Sequence, residues 1–378
     1  MKIIVLGAGL VGGPMTTDLA KDKNFEVTVA DINQESLDRL TNPAIRKIRK
    51  DLSVRENVTD LVKDQDMVVN AVPGFMGFRT LKTIIEAGKN AVDIAFFPED
   101  PFLLDDLAKE KGVIAVMDFG VAPGMSNVLI GYADHLLDET LNATIYVGGL
   151  PKVREWPYEY KAVFSPVDVI EEYTRPARYV ENGHLVIREA LSDPEFHLFP
   201  GIGTLQSFNS DGLRSLVDTI KCPNMKEKTL RYPGHIDIMA ILRETGFFSK
   251  EEIEINGTKI APLDFTAKLL FPKWKLKKGE EDITVMRVTI EGKKDNKLLR
   301  YNYDLFDQFD TVTETHSMAR TTGYTATVGA RMIAEELYNR KGISVPEFIG
   351  KKPECVQYLL KGLAERGVIY KETITTLE

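Results

Sequence analysis

The sequence predicts an α/β chain in which a doubly wound parallel sheet is followed by a second, sheet-based α+β section. Three observations carry this expectation. The first 120 or so residues alternate short apolar runs with helical stretches, the pattern of βαβ units. A glycine-rich turn, GAGLVG at 7–12, joins the first such run to the first helix. Beyond about residue 140 the texture changes to longer strands and Asn-Gly hairpins.

Taken in order, KIIVL (2–6) is a continuous apolar run and reads as a strand buried on both faces. A helix follows to about Lys21, and FEVTVA (25–30) is a second strand closing on Asp31. Residues 32–40 suit a helix, 45–50 a strand and 56–63 a helix. DMVVNAVP (66–73) is a buried strand running into a Pro-Gly turn. Residues 78–87 form a helix that Gly88 stops, and NAVDIA (90–95) is the next strand. A helix over 101–111 with Gly112 as its cap leads to the strand VIAVMD (113–118). DFGVAPGMSN (118–127) is too rich in glycine and proline for a helix interior and too polar for a buried strand, so it is a compact loop. ATIYVGGLP (143–151) opens the second section. RYVENGHLVI (178–187) and EIEINGTKIA (252–261) are hairpins, and 283–304 is a strand pair about GKKDNK. From Met318 the chain is helical again, over 320–340 and 353–366.

A chain of 378 residues exceeds one hydrophobic core, which implies two domains. The formal net charge of −8 argues against nucleic acid or an anionic membrane as the main partner. Cys222 and Cys355 belong to no CxxC or Cys/His cluster, so neither a metal site nor a disulfide framework is expected. No stretch approaches the roughly 20 apolar residues of a membrane span. The apolar run at the amino end is short and broken by glycines, unlike a secretory signal. A cytoplasmic protein is expected.

The glycine turn follows a strand and opens a helix. Gly7 allows the tight turn, Gly9 admits a pyrophosphate close to the backbone, and Gly12 lets helix and strand approach. Leu10 and Val11 complete the turn. Asp31, at the end of the next strand, is placed for both ribose hydroxyls of an adenosine, which favours NAD over NADP. Ligands of such sheets bind outside the carboxyl ends of the strands. Asn70, Ala71, Val72, Pro73, Asp93 and Asp118 stand at those ends. In the second section, SDGLRS (210–215) and LRYPGH (230–235) supply Arg214 and Arg231 as carboxylate clamps and His235 as a catalytic imidazole. In MARTTGYTA (318–326), Thr321 stands where a helix opens and serves either as a cap or as a ligand contact.

GAGLVG, VDIA (92–95), DFGVAPGMSN, YVGGLP (146–151), EEYTRPA (171–177), SDGLRS, RYPGH and ARTTGYTA, in this order along nearly the whole chain, resemble the saccharopine dehydrogenase/reductase-like family. Within it they look most like the lysine 6-dehydrogenase branch. The resemblance implies a Rossmann domain of residues 1–125 plus 320–378, because the C-terminal helices return to it. It implies an inserted mixed-sheet domain over 126–319 for substrate and oligomerisation. It further implies NAD-dependent oxidation of the ε-amine of lysine, with release of ammonia. The aldehyde product then closes on its own α-amine to 1-piperideine-6-carboxylate. DFGVAPGMSN would be the loop that joins the domains beside the nicotinamide, with Gly120, Pro123 and Gly124 near the cofactor and Asn127 opening the next helix. Family members are commonly dimers or larger, so a homodimer or higher homo-oligomer is expected.

A lysine ammonium, with a pKa of about 10.4, must lose its proton before hydride can leave the adjacent carbon. Asp93, Asp118 and His235 are the candidate bases. His235 is matched to neutral pH, while a carboxylate serves only where burial raises its pKa. The expectation is His235 as base, Asp118 holding the amine, and Arg214, with Arg231, taking the α-carboxylate. Two other readings stay open. One is a saccharopine-forming or saccharopine-cleaving enzyme, whose tricarboxylate substrate would use more of Arg175, Arg178, Arg188, Arg214 and Arg231. The other is an NAD-binding protein without turnover.

Overall fold

The computed structural model describes residues 1–277 and 279–377. They divide into two compact units, 1–136 with 318–370, and 137–317 with the residues from 371 onward.

Unit one is built on β1 (Lys2–Leu6), β2 (Glu26–Asp31), β3 (Arg46–Arg49), β4 (Met67–Asn70), β5 (Asn90–Asp93) and β6 (Ile114–Val116). They run in the order β3-β2-β1-β4-β5-β6, and a seventh strand, Gly342–Ser344, lies beside β6. Every pairing is parallel. β4, MVVN, is buried at each residue because helices cover both sheet faces. Ile4, Leu6, Val68, Leu81, Ile84 and Phe97 share one core cluster, and each such side chain contributes roughly 1.5–3 kcal/mol. The strand succession reverses between β1 and β4, which opens a crevice at their carboxyl ends.

The boundary falls after Leu136 and not after 125. Helix Met125–Leu136 is largely buried, and its Gly131 lies so close to Glu347 that a Cβ would come within 2.4 Å of the Glu347 carbonyl oxygen. The return of the chain is also narrower than 320–378. Helices Ser317–Ala334 and Pro353–Ala364 precede a final strand, Tyr370–Leu377, which forms the edge of the other unit's sheet. That strand is mostly exposed and polar, as an edge strand can be. The returning helices are fastened through Asp18 of helix Gly12–Leu19. Its carboxylate accepts from Thr327 Oγ1 at 2.6 Å, Arg331 Nη1 at 2.9 Å and Arg366 Nε at 2.9 Å. Burial pushes this carboxyl up, but Arg331, Arg366 and Thr327 outweigh it and hold the group below its usual range.

Unit two is a nine-stranded mixed sheet. Its central strand, Glu139–Pro151, runs antiparallel to Asp282–Lys294 and parallel to Asn224–Arg231. Gly203–Asn209 and Glu195–Phe199 extend the sheet on one side, Lys297–Gln308 and Tyr370–Leu377 on the other. The hairpin Ala177–Glu181/His184–Arg188 turns on Asn182 and Gly183, at φ 50° and 79°. Tyr160, Tyr173, Phe208 and Trp274 form a core with helices Pro166–Thr174, His235–Glu244 and Pro262–Trp274. No helix among the described residues is long and apolar enough to cross a membrane.

Candidate active site

In unit one the glycine turn has the geometry its sequence demands. Gly7 has φ 103°, and a Cβ on Gly12 would lie 2.1 Å from the Gly7 carbonyl oxygen. Nothing stands within 4 Å of the position a Gly9 Cβ would take, which leaves room above the turn. Leu10 is 40% exposed and Val11 precedes the helix. Asp31 Oδ2 accepts from Ala8 N at 2.6 Å and Oδ1 from Asn33 N at 2.7 Å. Each carboxylate oxygen has a second lone pair, so Asp31 keeps an acceptor position on both oxygens for two adjacent hydroxyls. Ala71, Val72 and Pro73 follow directly behind: Ala71 N donates to the Leu6 carbonyl at 2.9 Å, and a Cβ on Gly7 would lie 2.6 Å from the Ala71 carbonyl oxygen.

The ends of β4 and β5 bring two polar side chains together, because Asn70 and Asp93 are register partners. Asn70 Nδ2 donates to Asp93 Oδ2 at 2.8 Å, and Ala95 N donates to Oδ1 at 2.6 Å. Asp93 is fully buried. Burial pushes its carboxyl up to about 7, the two hydrogen bonds offset only part of this, and the charge of Asp118 adds to it. Asp118 stands next in space with φ 50°, because Phe119 N donates to the Asp93 carbonyl at 3.0 Å. Asn70 Oδ1 is buried without a hydrogen-bond partner. An orphaned acceptor at that edge fits a ligand that brings a donor.

The loop 118–127 closes tightly, with Gly120 N donating to the Pro123 carbonyl at 3.1 Å and Met125 N to the Gly120 carbonyl at 2.9 Å. Gly120 packs on Thr322, whose Cγ2 would be 3.1 Å from an added Cβ. Asn127 is buried in the first turn of Met125–Leu136 and accepts from Ser126 Oγ at 2.9 Å. Thr321 does not open its helix, which begins at Ser317. It is fully buried, with its hydroxyl 3.4 Å from the Met318 carbonyl.

Unit two changes the roles expected of Arg231 and His235. Arg231 is 2% exposed, its Nη2 lies 2.5 Å from Glu172 Oε2, and its Nε donates to the Tyr173 hydroxyl at 3.2 Å. Its guanidinium also lies 4.6 Å from the Tyr160 ring centre. It is an internal ion-pair partner, already committed, and not an available clamp. His235 Nδ1 lies 2.8 Å from the Tyr158 carbonyl and Nε2 lies 2.9 Å from the Tyr173 hydroxyl. A carbonyl only accepts, so Nδ1 carries the proton and Nε2 accepts from Tyr173. Burial, with Arg231 adding to it, pushes the imidazole down to about 3. A neutral ring with both nitrogens engaged is a poor general base. This corrects the expectation for His235.

Arg214 lies in the loop after Gly203–Asn209, at φ 55° and 6% exposed. Burial and then the charge of Arg214 lower the proton affinity of Arg175, so the two guanidiniums share one partly desolvated neighbourhood. Glu171, Asp211 and Asp168 compensate part of that charge. Arg178 is held on Asp211, through Nε at 2.9 Å and Nη2 at 3.3 Å, and Arg188 faces Glu181 at the surface. Glu172 and Tyr173 lie inside the quoted EEYTRPA, but nothing in their type or spacing marked them as buried. Among the described residues, no group of three or more His, Cys, Asp or Glu side chains could hold a metal ion.

Comparison with known proteins fits this geometry. Residues 3–116 match the saccharopine dehydrogenase NADP binding domain and 120–368 the saccharopine dehydrogenase C-terminal domain. The mitochondrial alpha-aminoadipic semialdehyde synthase of Mus musculus is 26% identical over 283 residues, 69% of this chain. The chain spans 30% of that relative's length. A carboxyaminopropylagmatine dehydrogenase of Synechocystis is 24% identical across 99% of this chain and 98% of its own. Apo saccharopine dehydrogenase (L-Glu forming) from Saccharomyces cerevisiae shares the fold, with TM-score 0.80 and 18% identity over 99% of both chains.

Proposed function

The chain belongs to the saccharopine dehydrogenase family of oxidoreductases, and from that premise we propose that it oxidises the C–N bond of an amino-acid amine with NAD, the ε-amine of L-lysine first. The observation that carries the reading is Asp93, a buried carboxyl whose proton affinity is raised to about 7 at the carboxyl edge of the nucleotide-binding sheet.

With an ammonium pKa of about 10.4, well under about 1% of lysine is neutral at pH 7. An ordinary carboxylate, near 4, would take that proton against a gap of more than six pH units; a group near 7 roughly halves it. In this proposal Asp93 takes the proton, Asn70 orients it, and Asp118 holds the amine. The freed lone pair lets hydride depart from the ε-carbon, so the neutral amine loses two electrons and a proton and becomes an iminium ion. Water adds, ammonia leaves, and allysine closes on its α-amine. The nicotinamide cofactor, when bound, supplies the hydride acceptor. The turn at Gly7, Gly9, Leu10, Val11 and Gly12, the acceptors of Asp31 and the orphaned Asn70 Oδ1 fit such a group. Ala71, Val72 and Pro73, with Gly120, Pro123 and Asn127, complete its proposed surroundings. Asp31 is the reason for choosing NAD, since its negative charge opposes a 2′-phosphate. Arg214, with Arg175 in place of Arg231, takes the substrate carboxylate.

The full-length alignment with the Synechocystis enzyme favours a second reading, a secondary amine bearing additional carboxylate. The assembly in this proposal is a cytoplasmic homodimer, as the family resemblance implies; light scattering tests its size. NADH absorbance at mildly alkaline pH, with NAD and either L-lysine or saccharopine, tests the substrate. NADH and ammonia from lysine alone support the first reading, and turnover of saccharopine alone selects the second. Silence with both refutes the proposal.

A further inference from the structure

Unit two holds a buried carboxyl that the chemistry above does not use. Glu227, on strand Asn224–Arg231, is 3% exposed. Its Oε2 accepts from Ser210 Oγ at 2.7 Å and from Gly212 N at 3.0 Å. Ser210 also shares a 2.7 Å hydrogen bond with Thr229 Oγ1. Gly212 is pressed onto the carboxyl, since an added Cβ would lie 2.3 Å from Glu227 Cδ. The loop 210–215 therefore rests on Glu227 at two donors, Ser210 and Gly212, on either side of Asp211. The same loop carries Asp211, gripped by Arg178, and Arg214 in its left-handed conformation.

We propose that Glu227 is a positioning residue that holds loop 210–215, and with it Arg214, in the substrate-binding arrangement only while its carboxyl carries a proton. The role given to Arg214 rests on the function proposed above. The groups facing Glu227 argue for the dependence. Glu172, from helix Pro166–Thr174, and Asp211, from the loop itself, are both acidic; Ser210 and Thr229 are neutral. Arg231, on the same face of the strand, is committed to Glu172, and Arg178 to Asp211. Ionisation would strengthen the two hydrogen bonds but place a new negative charge in dry surroundings opposite Glu172 and Asp211. Burial, with the charges of those two residues, pushes the carboxyl up to about 8, so the unfavourable effect is the larger. Above that pH the charge is relieved by the loop lifting and admitting water. Glutamine, whose amide oxygen can accept from both Ser210 and Gly212, imitates the protonated state at every pH.

Hydrogen exchange at the amides of 210–215, corrected for the intrinsic pH dependence of exchange, tests this in the wild-type protein and in Glu227→Gln at pH 6.5 and 9.0. One unit above a pKa of about 8 the ionised form dominates roughly tenfold. The wild type should lose ~10-fold protection at Gly212 between the two pH values, and the variant less than about twofold. An equal loss in both proteins, or none in the wild type, overturns the proposal. The KM for L-lysine and for saccharopine, read beside the KM for NAD, tests the link to Arg214. The amino-acid KM should rise with pH in the wild type more steeply than in the variant, with the NAD KM alike in both. Identical pH profiles would sever the loop from substrate binding. If neither substrate turns over, the proposed function fails and the exchange data still decide the role of Glu227.

Discussion

Replacing Asp93 with asparagine tests the chemistry most directly, because the structure says why the variant should still fold. Asp93 accepts from Ala95 N and from Asn70 Nδ2. Asparagine can keep its oxygen on Ala95 N, which turns its own NH2 towards Asn70. A half-turn of the Asn70 amide then presents Oδ1, at present without a partner, to that donor. The hydrogen bonding survives and the base does not. Loss of a general base costs about 10²–10⁴-fold in kcat, or ~3–5 kcal/mol. In the wild type, the base form exists above about pH 7. Log kcat/KM for amine oxidation should therefore fall by about one per pH unit below that value, and the variant should lack this limb. Stability supplies an independent readout. The carboxyl is raised from 3.8 to about 7 in the folded protein, so its contribution is greatest below about pH 4 and is lost as pH rises to about 7. Three units correspond to on the order of 4 kcal/mol. Asp93→Asn should be the more heat-stable protein at pH 8 and should not share that slope. Activity within threefold of wild type at pH 8, or a wild-type profile without a limb near 7, would refute the assignment.

Other substitutions separate the remaining roles. Asp31→Ala should weaken NADH binding by about tenfold or more, the worth of hydrogen bonds to a charged group, as read by fluorescence titration; unchanged affinity removes Asp31 from the cofactor site. Arg214→Ala should raise the amino-acid KM by roughly 2 kcal/mol while leaving the NAD KM near its wild-type value, and equal effects on both would make the arginine structural. His235→Gln should keep the activity limb near pH 7. The wild-type imidazole is pushed down to about 3, so its stabilisation is complete above about 6.5 and drains away as pH falls towards 3; thermal unfolding of the variant should show a shallower acid slope. Disappearance of the activity limb would restore His235 as the base.

Unit one was legible because its signals are local. A strand, a glycine turn and a helix N-terminus are consecutive, and every β-strand from KIIVL to VIAVMD except the charged edge strand Arg46–Arg49 is largely an apolar run. The seventh strand was not, since Gly342–Ser344 has three residues and is a strand only because Ile114–Val116 pairs with it. The hairpins were visible from Asn182-Gly183 and Asn256-Gly257, both in left-handed conformations. Burial of charge was invisible. Four of the eight residues of NMKEKTLR are charged, yet Glu227, Lys228 and Arg231 are buried in it. Likewise nothing in LRYPGH told that Glu172 and Tyr173, some sixty residues earlier, would occupy Arg231 and His235. The sequence pattern marked candidate polar residues, but whether a cation is spent on a neighbour or kept for a ligand depends on long-range packing.

Asp18 carries a consequence for how the chain is made. Its three partners, Thr327, Arg331 and Arg366, lie more than three hundred residues downstream, and the outermost strand of the same sheet comes equally late. During translation the first 136 residues emerge with a carboxylate meant for the interior and only the exposed Lys21 ammonium, 3.8 Å away, to meet it. The 181 residues of 137–317 intervene, which at ribosomal speed is a wait of roughly 10–40 s. Until the returning helices appear, the nucleotide-binding half is a provisional structure with an open sheet edge, and the nascent chain is then most exposed to chaperones, proteases and its own neighbours.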